Sequence, residues 1–363
     1  MDSELSDYIK IKPWGSRYGG DGNGKYWFSN VSGPKGFEHC KEKRCSIIDN
    51  VNESEVVIIS TNSMAEFIQG FKLPHRKSSD QKWVFYALES PKHFPVHKEY
   101  LSTPLFNATF TYKSSSDIHH PYGKIIDRVF PYNEDFKKLW RNKKNVAWMV
   151  SNWRSRNRRE DYVYELKKHI DVTIFGRDCP AGENATNQFC PNDDGDNSAY
   201  GKCNKQISDN FKFYLAFENS LCSEYITEKL YRTLLLETLP VVLGAADYKA
   251  VLPEKSYIDV RDFKSPKHLA EYLKVLSANV TLYGEYFQWK KKHEIVTHLT
   301  PSTTCDFCQY LHKTRYAKPH TVNMNKFWNL KNDCVNKEDF MSSVGVNLDK
   351  TDSDTVKKNL CQS

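Results

Sequence analysis

One continuous stretch of the sequence, residues 211–244, limits the possible folds more than any other part of the chain. Phe211–Phe217 is almost entirely aromatic or apolar, which indicates a strand that is buried on both faces. Ile226, Leu230 and Leu234 then recur every four residues, as expected for the packed face of a helix. A second short apolar segment follows and ends at a glycine. The stretch therefore predicts a strand, a turn, a helix and a second strand, in that order.

The other face of the predicted helix carries polar and aromatic side chains. Tyr225, Glu228, Lys229 and Arg232 fall on it at spacings of three and four residues. We place an acid, a base and an aromatic residue in the first turn of this helix, just after the buried strand. The amino-terminal end of a helix attracts phosphate, and the side chains around it select the rest of the ligand. This arrangement is a common way to hold a nucleotide.

Segments of the same two kinds alternate along the rest of the chain. Apolar segments predict further strands at Glu55–Thr61, Trp83–Leu88, Ala108–Tyr112, Val146–Val150, Val172–Gly176 and Tyr257–Val260. Predicted helices are Asp135–Trp140, Arg159–His169 and a helix that begins at Pro266. Alternation of strands and helices implies an α/β protein with a parallel, doubly wound sheet.

A chain of 363 residues has room for roughly two domains of ordinary size. We predict a first domain at residues 1–140, in which residues 1–50 are irregular, and a second domain at residues 141–300. The remaining residues, 301–363, are polar and contain a Cys-x2-Cys pair. We expect this tail to pack back on the first domain.

The net charge argues against nucleic acid as a partner. It is +7, and apart from residues 154–159 the Lys and Arg residues are spread out. A nucleic-acid-binding protein is usually more basic and has a clustered basic patch, so a small anionic ligand fits this charge better. The sequence also contains no run of apolar residues long enough to span a membrane.

Cysteines and glycosylation sequons together indicate a secretory compartment. The chain has 10 cysteines, an even number, and several Asn-x-Ser/Thr sequons. The sequons are at Asn30, Asn52, Asn107, Asn184 and Asn279. No signal peptide is visible at Met1, so we expect a membrane anchor or signal that is missing from this sequence.

Four of the cysteines allow two interpretations. Cys40 and Cys45 form one closely spaced pair, and Cys305 and Cys308 form another far along the chain. Together they could supply four thiolates to a zinc ion. Disulfide bonds are the alternative, and we favour them because thiolate metal sites are scarcer in the compartment where sequons are used.

Two further motifs resemble ligand-binding patterns but lack the structural context of such patterns. Gly19–Gly24 is glycine-rich like a dinucleotide-binding loop, yet no predicted strand and helix bracket it, so we interpret it as a loop. Asp194 and Asp196 form an Asp-x-Asp sequence of the kind that binds metal ions. They lie between Cys190 and Cys203 in a segment rich in Asn and Asp, which we interpret as a solvated loop.

The order of the motifs resembles that of the α1,3-fucosyltransferase family. Phe213–Ser220 followed by Tyr225–Lys229 is similar to the donor-binding signature of that family. Three further segments agree with the family in the same order, at Tyr86–Pro91, Asn107–Gly123 and Val146–Asn152. The resemblance covers residues 55–310, and the divergent ends suggest an invertebrate-like member.

The resemblance implies a GT-B fold of two Rossmann-like domains that face a cleft. It implies that the second domain binds GDP-fucose and that the first faces an N-acetylglucosamine unit of a glycoprotein glycan. Transfer would be inverting and would form an α1,3 linkage, either on the N-glycan core or on a LacNAc or LacdiNAc antenna. Family members are type II Golgi membrane proteins with a luminal catalytic domain, so we expect this protein in the Golgi lumen.

For the reaction, the resemblance implies that Glu89 is the catalytic base. Glu89 follows an apolar segment, where open α/β sheets place functional groups, although it could instead cap the turn at Pro91. The resemblance also implies that Arg159 and Lys229 contact the diphosphate, because cationic groups stabilise a departing phosphate. The alternative for both residues is ordinary solvated charge.

The remaining site residues would surround the donor. Glu228 resembles the acid that accepts hydrogen bonds from ribose hydroxyls, and an ion pair with Arg232 at i,i+4 is the alternative. Tyr225 would lie against the nucleotide or the fucose, with core packing as the alternative. Four residues that follow predicted strands are candidates for donor contact: Glu218, Asn219, Ser151 and Asn152. For Glu218 and Asn219, bracing of the turn is the alternative.

Such a reaction needs no cofactor and no metal site, because cationic side chains already stabilise the leaving group. Stimulation by Mn²⁺ or Mg²⁺ stays open. One alternative function is a protein of the same fold that binds glycans or nucleotides without turnover, and another is transfer from a different nucleotide sugar. The presence of Glu89, Arg159, Glu228 and Lys229 argues against a protein that has lost turnover.

The cysteines also predict how the tail is attached. We expect Cys40 and Cys45 to bond to Cys305 and Cys308, in an order that the sequence leaves open, and thereby to tie the tail to the first domain. Candidates for two more bonds within the second domain are Cys179, Cys190, Cys203 and Cys222. Cys334 and Cys361 remain as a final pair.

Overall fold

The structure is a computed structural model, and it describes residues 7–14, 33–64, 72–132, 140, 142–153, 155–176, 201–297, 302–318 and 320–361. The chain divides into two compact units. Unit 1 consists of Met1–Pro121 and His298–Asp333, and unit 2 consists of Tyr122–Thr297 and Cys334–Ser363. Among the helices of the described ranges, none has the length and apolar character needed to cross a membrane.

The strands of the described residues form three sheets. In chain order they are β1 (Ile9–Trp14), β2 (Cys45–Ile47), β3 (Val56–Ser60), β4 (Lys82–Ala87), β5 (Ala108–Thr111), β6 (Ile118–His119), β7 (Gly123–Asp127), β8 (Lys144–Val150), β9 (Val172–Gly176), β10 (Phe211–Phe217), β11 (Leu239–Leu243), β12 (Ile258–Asp259) and β13 (His293–Thr297). The strands predicted from apolar segments in both halves of the chain are confirmed within one or two residues at each end.

The α-helices of the described residues are short on average. They are α1 (Thr61–Met64), α2 (Lys98–Ser102), α3 (Arg159–Lys167), α4 (Lys202–Asn210), α5 (Glu228–Leu235), α6 (Tyr248–Val251), α7 (Pro266–Ala278), α8 (Val280–Glu285), α9 (Ser302–Thr314), α10 (Met324–Phe327), α11 (Leu330–Asp333), α12 (Lys337–Ser343) and α13 (Ser353–Cys361). The helices predicted to begin at Arg159 and Pro266 are confirmed, and residues 133–139 lie outside the described part of the chain.

Unit 1 is built on a parallel sheet in the order β2-β1-β3-β4-β5-β6. The prediction that residues 1–50 are irregular is wrong, because β1 and β2 both lie in this range. Ile9 and Ile11 are buried in β1, but Lys10, Lys12 and Pro13 interrupt the apolar pattern. Proline is rare inside a sheet, so the sequence concealed this strand.

Unit 2 is built on a second parallel sheet in the order β12-β11-β10-β8-β9. All residues of β10 are buried, as predicted from its continuous apolar run, and β10 lies in the middle of the sheet. Helix α5 connects β10 to β11 and packs on both strands. The strand–helix–strand unit predicted for residues 211–244 is therefore confirmed.

The boundary between the units differs from the predicted domain boundary at residue 140. Strand β7 pairs antiparallel with β13, and this pairing places residues 123–127 in unit 2. The tail also divides, because α9, α10 and α11 belong to unit 1 whereas α12 and α13 belong to unit 2. Apolar residues of α12, including Phe340 and Met341, are part of the same core as Trp148 and Phe217. The tail therefore does not pack on the first unit alone.

The four cysteines considered as zinc ligands, Cys40, Cys45, Cys305 and Cys308, form disulfide bonds and are not available to a zinc ion. Cys40 bonds to Cys305 and Cys45 to Cys308, which confirms the expected pairs and fixes their order. Cys334 bonds to Cys222, so the predicted pair of Cys334 with Cys361 is wrong, as is the grouping of Cys222 with the insertion cysteines. The physical reason is local strand-like pairing, because the backbone N–H of Val335 donates to the carbonyl of Leu221 at 2.9 Å. Cys203 is also disulfide-bonded, and Cys179 and Cys190 lie outside the described residues.

The structure separates the predicted glycosylation sites into exposed and buried ones. Asn52 and Asn279 are exposed. Asn107 is only 8% exposed, and its side-chain Nδ2 donates to the carbonyl of His320 at 3.0 Å. Because a glycan attaches through this nitrogen, the folded structure argues against the predicted modification of Asn107. Asn30 and Asn184 lie outside the described residues, as do Gly19–Gly24 and the Asp194/Asp196 motif.

Candidate functional site

The order of strands in unit 2 defines where a ligand is expected. From β8 the chain continues to β9 on one side of the sheet, and then β10 is added on the other side of β8. The carboxyl ends of β8 and β10 lie next to each other at this change of direction, which is where open α/β sheets bind ligands. Ser151 and Asn152 follow β8, and Glu218 and Asn219 follow β10, so four predicted site residues leave the sheet at this edge.

The loop from Glu218 to Thr227, here called the donor loop, is held at its two ends by one buried carboxylate. Glu218 is fully buried. It accepts hydrogen bonds from the backbone N–H and the hydroxyl of Thr227, both at 2.8 Å. Thr227 is the N-cap of α5. The carboxylate therefore joins the end of β10 to the beginning of α5, which supports a role in bracing the turn.

Four ionisable side chains lie close together at the start of α5. The Nζ atom of Lys229 lies 3.1 Å from Oε1 of Glu228 and 3.5 Å from Oε2 of Glu218. Arg232 lies 3.7 Å from Glu228, so the i,i+4 pair considered from the sequence is also present. The side chains of Glu228 and Lys229 are 37% and 23% exposed, whereas that of Glu218 is 1% exposed. Glu228 and Lys229 thus present opposite charges to solvent, and the buried carboxyl group of Glu218 lies next to Lys229.

The two glutamates have opposite pKa shifts. Burial raises the pKa of Glu218, and the ammonium of Lys229 only partly opposes this effect. For Glu228, burial also favours the neutral form, but the cationic groups of Lys229 and Arg232 outweigh it and lower the pKa to about 2. Glu228 is therefore an ionised hydrogen-bond acceptor at neutral pH.

These shifts predict different pH profiles for the two glutamine variants. Because the pKa of Glu218 is raised, the folded protein retains a proton that the unfolded chain releases, and stability falls as pH rises through that window. Glu218→Gln removes this titration, so its melting temperature relative to wild type should rise as the pH increases above the ordinary pKa of a glutamate. Glu228→Gln removes a negative charge that helps to raise the pKa of Glu218, so it should show a smaller rise in the same direction. Thermal melts measure both, and a constant difference for Glu218→Gln would contradict the raised pKa.

Arg159 joins the carboxyl ends of β8 and β10 at the change of direction in the sheet. Its Nη1 donates to the carbonyl of Phe217 at 2.7 Å and its Nη2 to the carbonyl of Asn152 at 3.1 Å. The side chain is 4% exposed, and its Nε lies 3.6 Å from Oε1 of Glu160. In this arrangement Arg159 holds the ends of β8 and β10 together, and the predicted contact with a diphosphate stays a prediction.

The sequence pattern placed Tyr225 in the first turn of α5. In the structure this residue lies in the donor loop instead. The helix begins only at Glu228, after the Thr227 N-cap. The ring of Tyr225 is 1% exposed and meets Tyr122 edge to face, with 6.4 Å between ring centroids. The ring is therefore held by packing against its neighbours, which was the alternative to a contact with the donor. Ser151 is exposed at the end of β8.

Glu89 belongs to unit 1. It lies two residues beyond the end of β4, at the carboxyl edge of the first parallel sheet, and it is half-buried. The next residue, Ser90, is fully buried, and its hydroxyl accepts a hydrogen bond from the backbone N–H of His93 at 3.2 Å. This turn is consistent with the predicted placement of a functional carboxylate at a strand end.

Two site residues were missed by the sequence analysis. Thr227 could have been found, because a Thr directly before an acidic residue and an apolar helix is an N-cap signal. Tyr248 is 1% exposed, and a Cβ added to Gly244 would lie 2.3 Å from its hydroxyl and 3.4 Å from Cγ of Glu218. Gly244 therefore leaves the space in which Tyr248 approaches the buried acid. No sequence signal indicates this contact.

Comparison with known proteins agrees with these features. The profile of the carboxyl-terminal part of glycosyltransferase family 10 (fucosyltransferase) matches residues 139–328, and that of the fucosyltransferase amino-terminal part matches residues 25–123. Glycoprotein 3-α-L-fucosyltransferase A of Drosophila melanogaster is 35% identical over 290 residues, which are 76% of this chain and 54% of that protein. The 4-galactosyl-N-acetylglucosaminide 3-α-L-fucosyltransferase 9 of Rattus norvegicus is 37% identical over 254 residues, which are 69% of this chain and 64% of that protein.

The fold is also similar to that of a solved enzyme. The crystal structure of an α1,3-fucosyltransferase with GDP-fucose superposes with a TM-score of 0.52 at 19% identity, and the match covers 86% of this chain and 92% of that one. This likeness confirms the predicted GT-B class with two Rossmann-like domains. The chain spans 54% and 64% of the two curated relatives named above. On the family profiles, which cover residues of both units, this chain belongs to glycosyltransferase family 10, the fucosyltransferases.

Proposed function

We propose that this protein is an α1,3-fucosyltransferase. In the proposed reaction it transfers L-fucose from GDP-β-L-fucose to the 3-hydroxyl of an N-acetylglucosamine residue in a glycoprotein glycan, with inversion. The observation that carries the proposal is the charged start of α5, where Lys229 and Glu228 reach solvent after the loop that follows β10, at the point where the strand order of the sheet changes direction. Relatives named as 3-α-L-fucosyltransferases support the linkage.

The start of α5 suits a nucleoside diphosphate. Backbone N–H groups at a helix amino terminus attract phosphate, and the ammonium of Lys229 adds a positive charge there. Glu228 stays ionised at neutral pH because its pKa is about 2, so it can accept hydrogen bonds from the two ribose hydroxyls. Acid and base at adjacent positions thus match the diol and the phosphate of one nucleotide.

The chemistry requires one base and one stabilised leaving group. As the acceptor 3-hydroxyl oxygen bonds to C1 of fucose, its proton passes to the Glu89 carboxylate. The bond from C1 to the diphosphate oxygen breaks, and its electron pair leaves with GDP. A carboxylate base on the face opposite the leaving group is the arrangement of inverting glycosidases, and we propose the same division of roles here.

We propose that this reaction requires no metal ion. A diphosphate is a weak base, so it needs little proton donation, and the charge that develops on it can be stabilised by Lys229. We further propose that the protein acts in the Golgi lumen as part of a type II membrane protein. The three disulfide bonds between described residues support an oxidising compartment of this kind.

The experiment that tests this proposal is a donor and acceptor assay with the purified protein. It compares GDP-fucose with GDP-mannose on an array of N-glycan core, LacNAc and LacdiNAc acceptors, each with and without EDTA. We expect transfer from GDP-fucose only, an α1,3 linkage in the product, and activity that survives EDTA. Binding of GDP without transfer to any acceptor would overturn the enzyme function in favour of a binding protein. Transfer from GDP-mannose would overturn the assigned donor.

A further inference from the structure

Most of the donor loop is buried, although loops usually lie on the surface. Leu221 is 3% exposed and Cys222 is fully buried in the middle of this loop. The first residues of the carboxyl-terminal segment, residues 334–361, contact this loop. Cys334 forms a disulfide bond with Cys222, and the backbone N–H of Val335 donates to the carbonyl of Leu221 at 2.9 Å. The middle of the loop is therefore attached to a part of the chain 112 residues further on.

The same carboxyl-terminal segment also contacts the helix that carries Arg159. The Thr351 hydroxyl donates to Oδ1 of Asp161 at 2.6 Å, and Nη2 of Arg158 donates to the Thr351 carbonyl at 3.0 Å. Arg158 and Asp161 form an ion pair at 2.7 Å in the first turn of α3. Helix α13 packs along α3 as well. One segment thus contacts two of the chain elements that provide candidate donor residues in unit 2, the donor loop and α3.

Attachment at Cys222 matters because the loop ends carry the charged site. Glu218 at one end and Thr227 at the other are joined by hydrogen bonds, and Lys229 follows two residues after Thr227. The loop also includes Glu224 in the left-handed region at φ 56°, a conformation that a non-glycine residue holds only when its surroundings impose it. A loop released from its anchor would sample other conformations, and ordering it again on binding would lower affinity.

We propose that the Cys222–Cys334 disulfide bond, together with the Val335 hydrogen bond, is a positioning device that preorganises the donor loop and thereby sets the affinity for the nucleotide donor. The inference rests on the proposed function, because it takes GDP-fucose as the donor. The role differs from general stabilisation, because the attachment point lies in the loop whose ends carry the charged residues, and the effect should be specific to the donor.

The main test is the double variant Cys222→Ala/Cys334→Ala, which removes the bond without leaving an unpaired thiol. We expect KM for GDP-fucose and Kd for GDP to rise about tenfold, the effect of ordering one or two side chains and their loop on binding. KM for the acceptor should be unchanged, as should kcat at saturating donor. The matched control is Cys40→Ala/Cys305→Ala, which removes a disulfide bond from unit 1 and should leave KM for GDP-fucose unchanged.

A second pair of variants keeps the disulfide bond and guards against misfolding of the first. Val335→Pro removes the N–H that donates to Leu221, and Val335→Ala retains it at a side chain that is 50% exposed. We expect Val335→Pro to raise Kd for GDP and Val335→Ala to leave it unchanged. A lower melting temperature with unchanged donor KM and GDP Kd would overturn the inference. Wild-type protein that binds no GDP would overturn the proposed function, and the inference with it.

Discussion

Replacing Glu89 with Gln is expected to lower kcat by about 10²–10⁴-fold, the usual contribution of a positioned general base. Gln keeps the size and shape of Glu two residues beyond the end of β4, but it cannot take a proton from the acceptor hydroxyl. The candidate nucleotide-binding residues belong to unit 2, whereas Glu89 belongs to unit 1. GDP binding by Glu89→Gln should therefore equal that of wild type.

The measurement combines steady-state kinetics with calorimetric titration of GDP. Glu99→Gln is the matched control, because it makes the same chemical change at an exposed glutamate of unit 1, with a side chain 74% exposed. It should retain full activity. Normal turnover by Glu89→Gln would remove Glu89 from the role of base, and the structural role of capping the Pro91 turn would then account for this residue.

The parts of the fold that were predictable depend on local patterns. Strand β10 is recognisable because all its residues are buried in the middle of a parallel sheet, which requires a continuous apolar run. The α7 helix is recognisable from the Ser265 N-cap and Pro266 at its first position. Strand β1 was missed because a buried lysine, Lys12, pairs with Asp49 at 3.7 Å, an interaction between residues that no local pattern reveals.

The residue types of the site were predictable from the sequence, but the structural role of each residue was not. Periodicity placed Glu228 and Lys229 on one helix face, and they do lie together at the start of α5. The same periodicity placed Tyr225 in the helix, because spacing alone does not show that Thr227 caps it. The pairing of Cys222 with Cys334 spans 112 residues and depends on how the tail folds over the loop, so counting neighbouring cysteines led to the wrong partner.

Replacing Lys229 with Met is expected to lower kcat/KM for GDP-fucose by about 10²–10³-fold, the effect of losing one preorganised group that stabilises a developing negative charge. Met retains most of the length and apolar surface of the side chain but loses its charge. In the free protein that charge lies 3.1 Å from Glu228 and 3.5 Å from Glu218. Removing it should also raise the pKa of Glu228 from about 2 towards its ordinary value.

Comparison of ligands distinguishes a diphosphate contact from a merely structural role of Lys229. If its ammonium binds the diphosphate, Lys229→Met should weaken GDP binding strongly and guanosine binding little, as measured by calorimetric titration. Lys255→Met is the matched control, because Lys255 is an exposed lysine of unit 2 that also pairs with a glutamate, Glu285. It should leave both affinities unchanged. Equal losses for GDP and guanosine would mean that Lys229 acts only by holding the glutamates, and the leaving group would then require another cation.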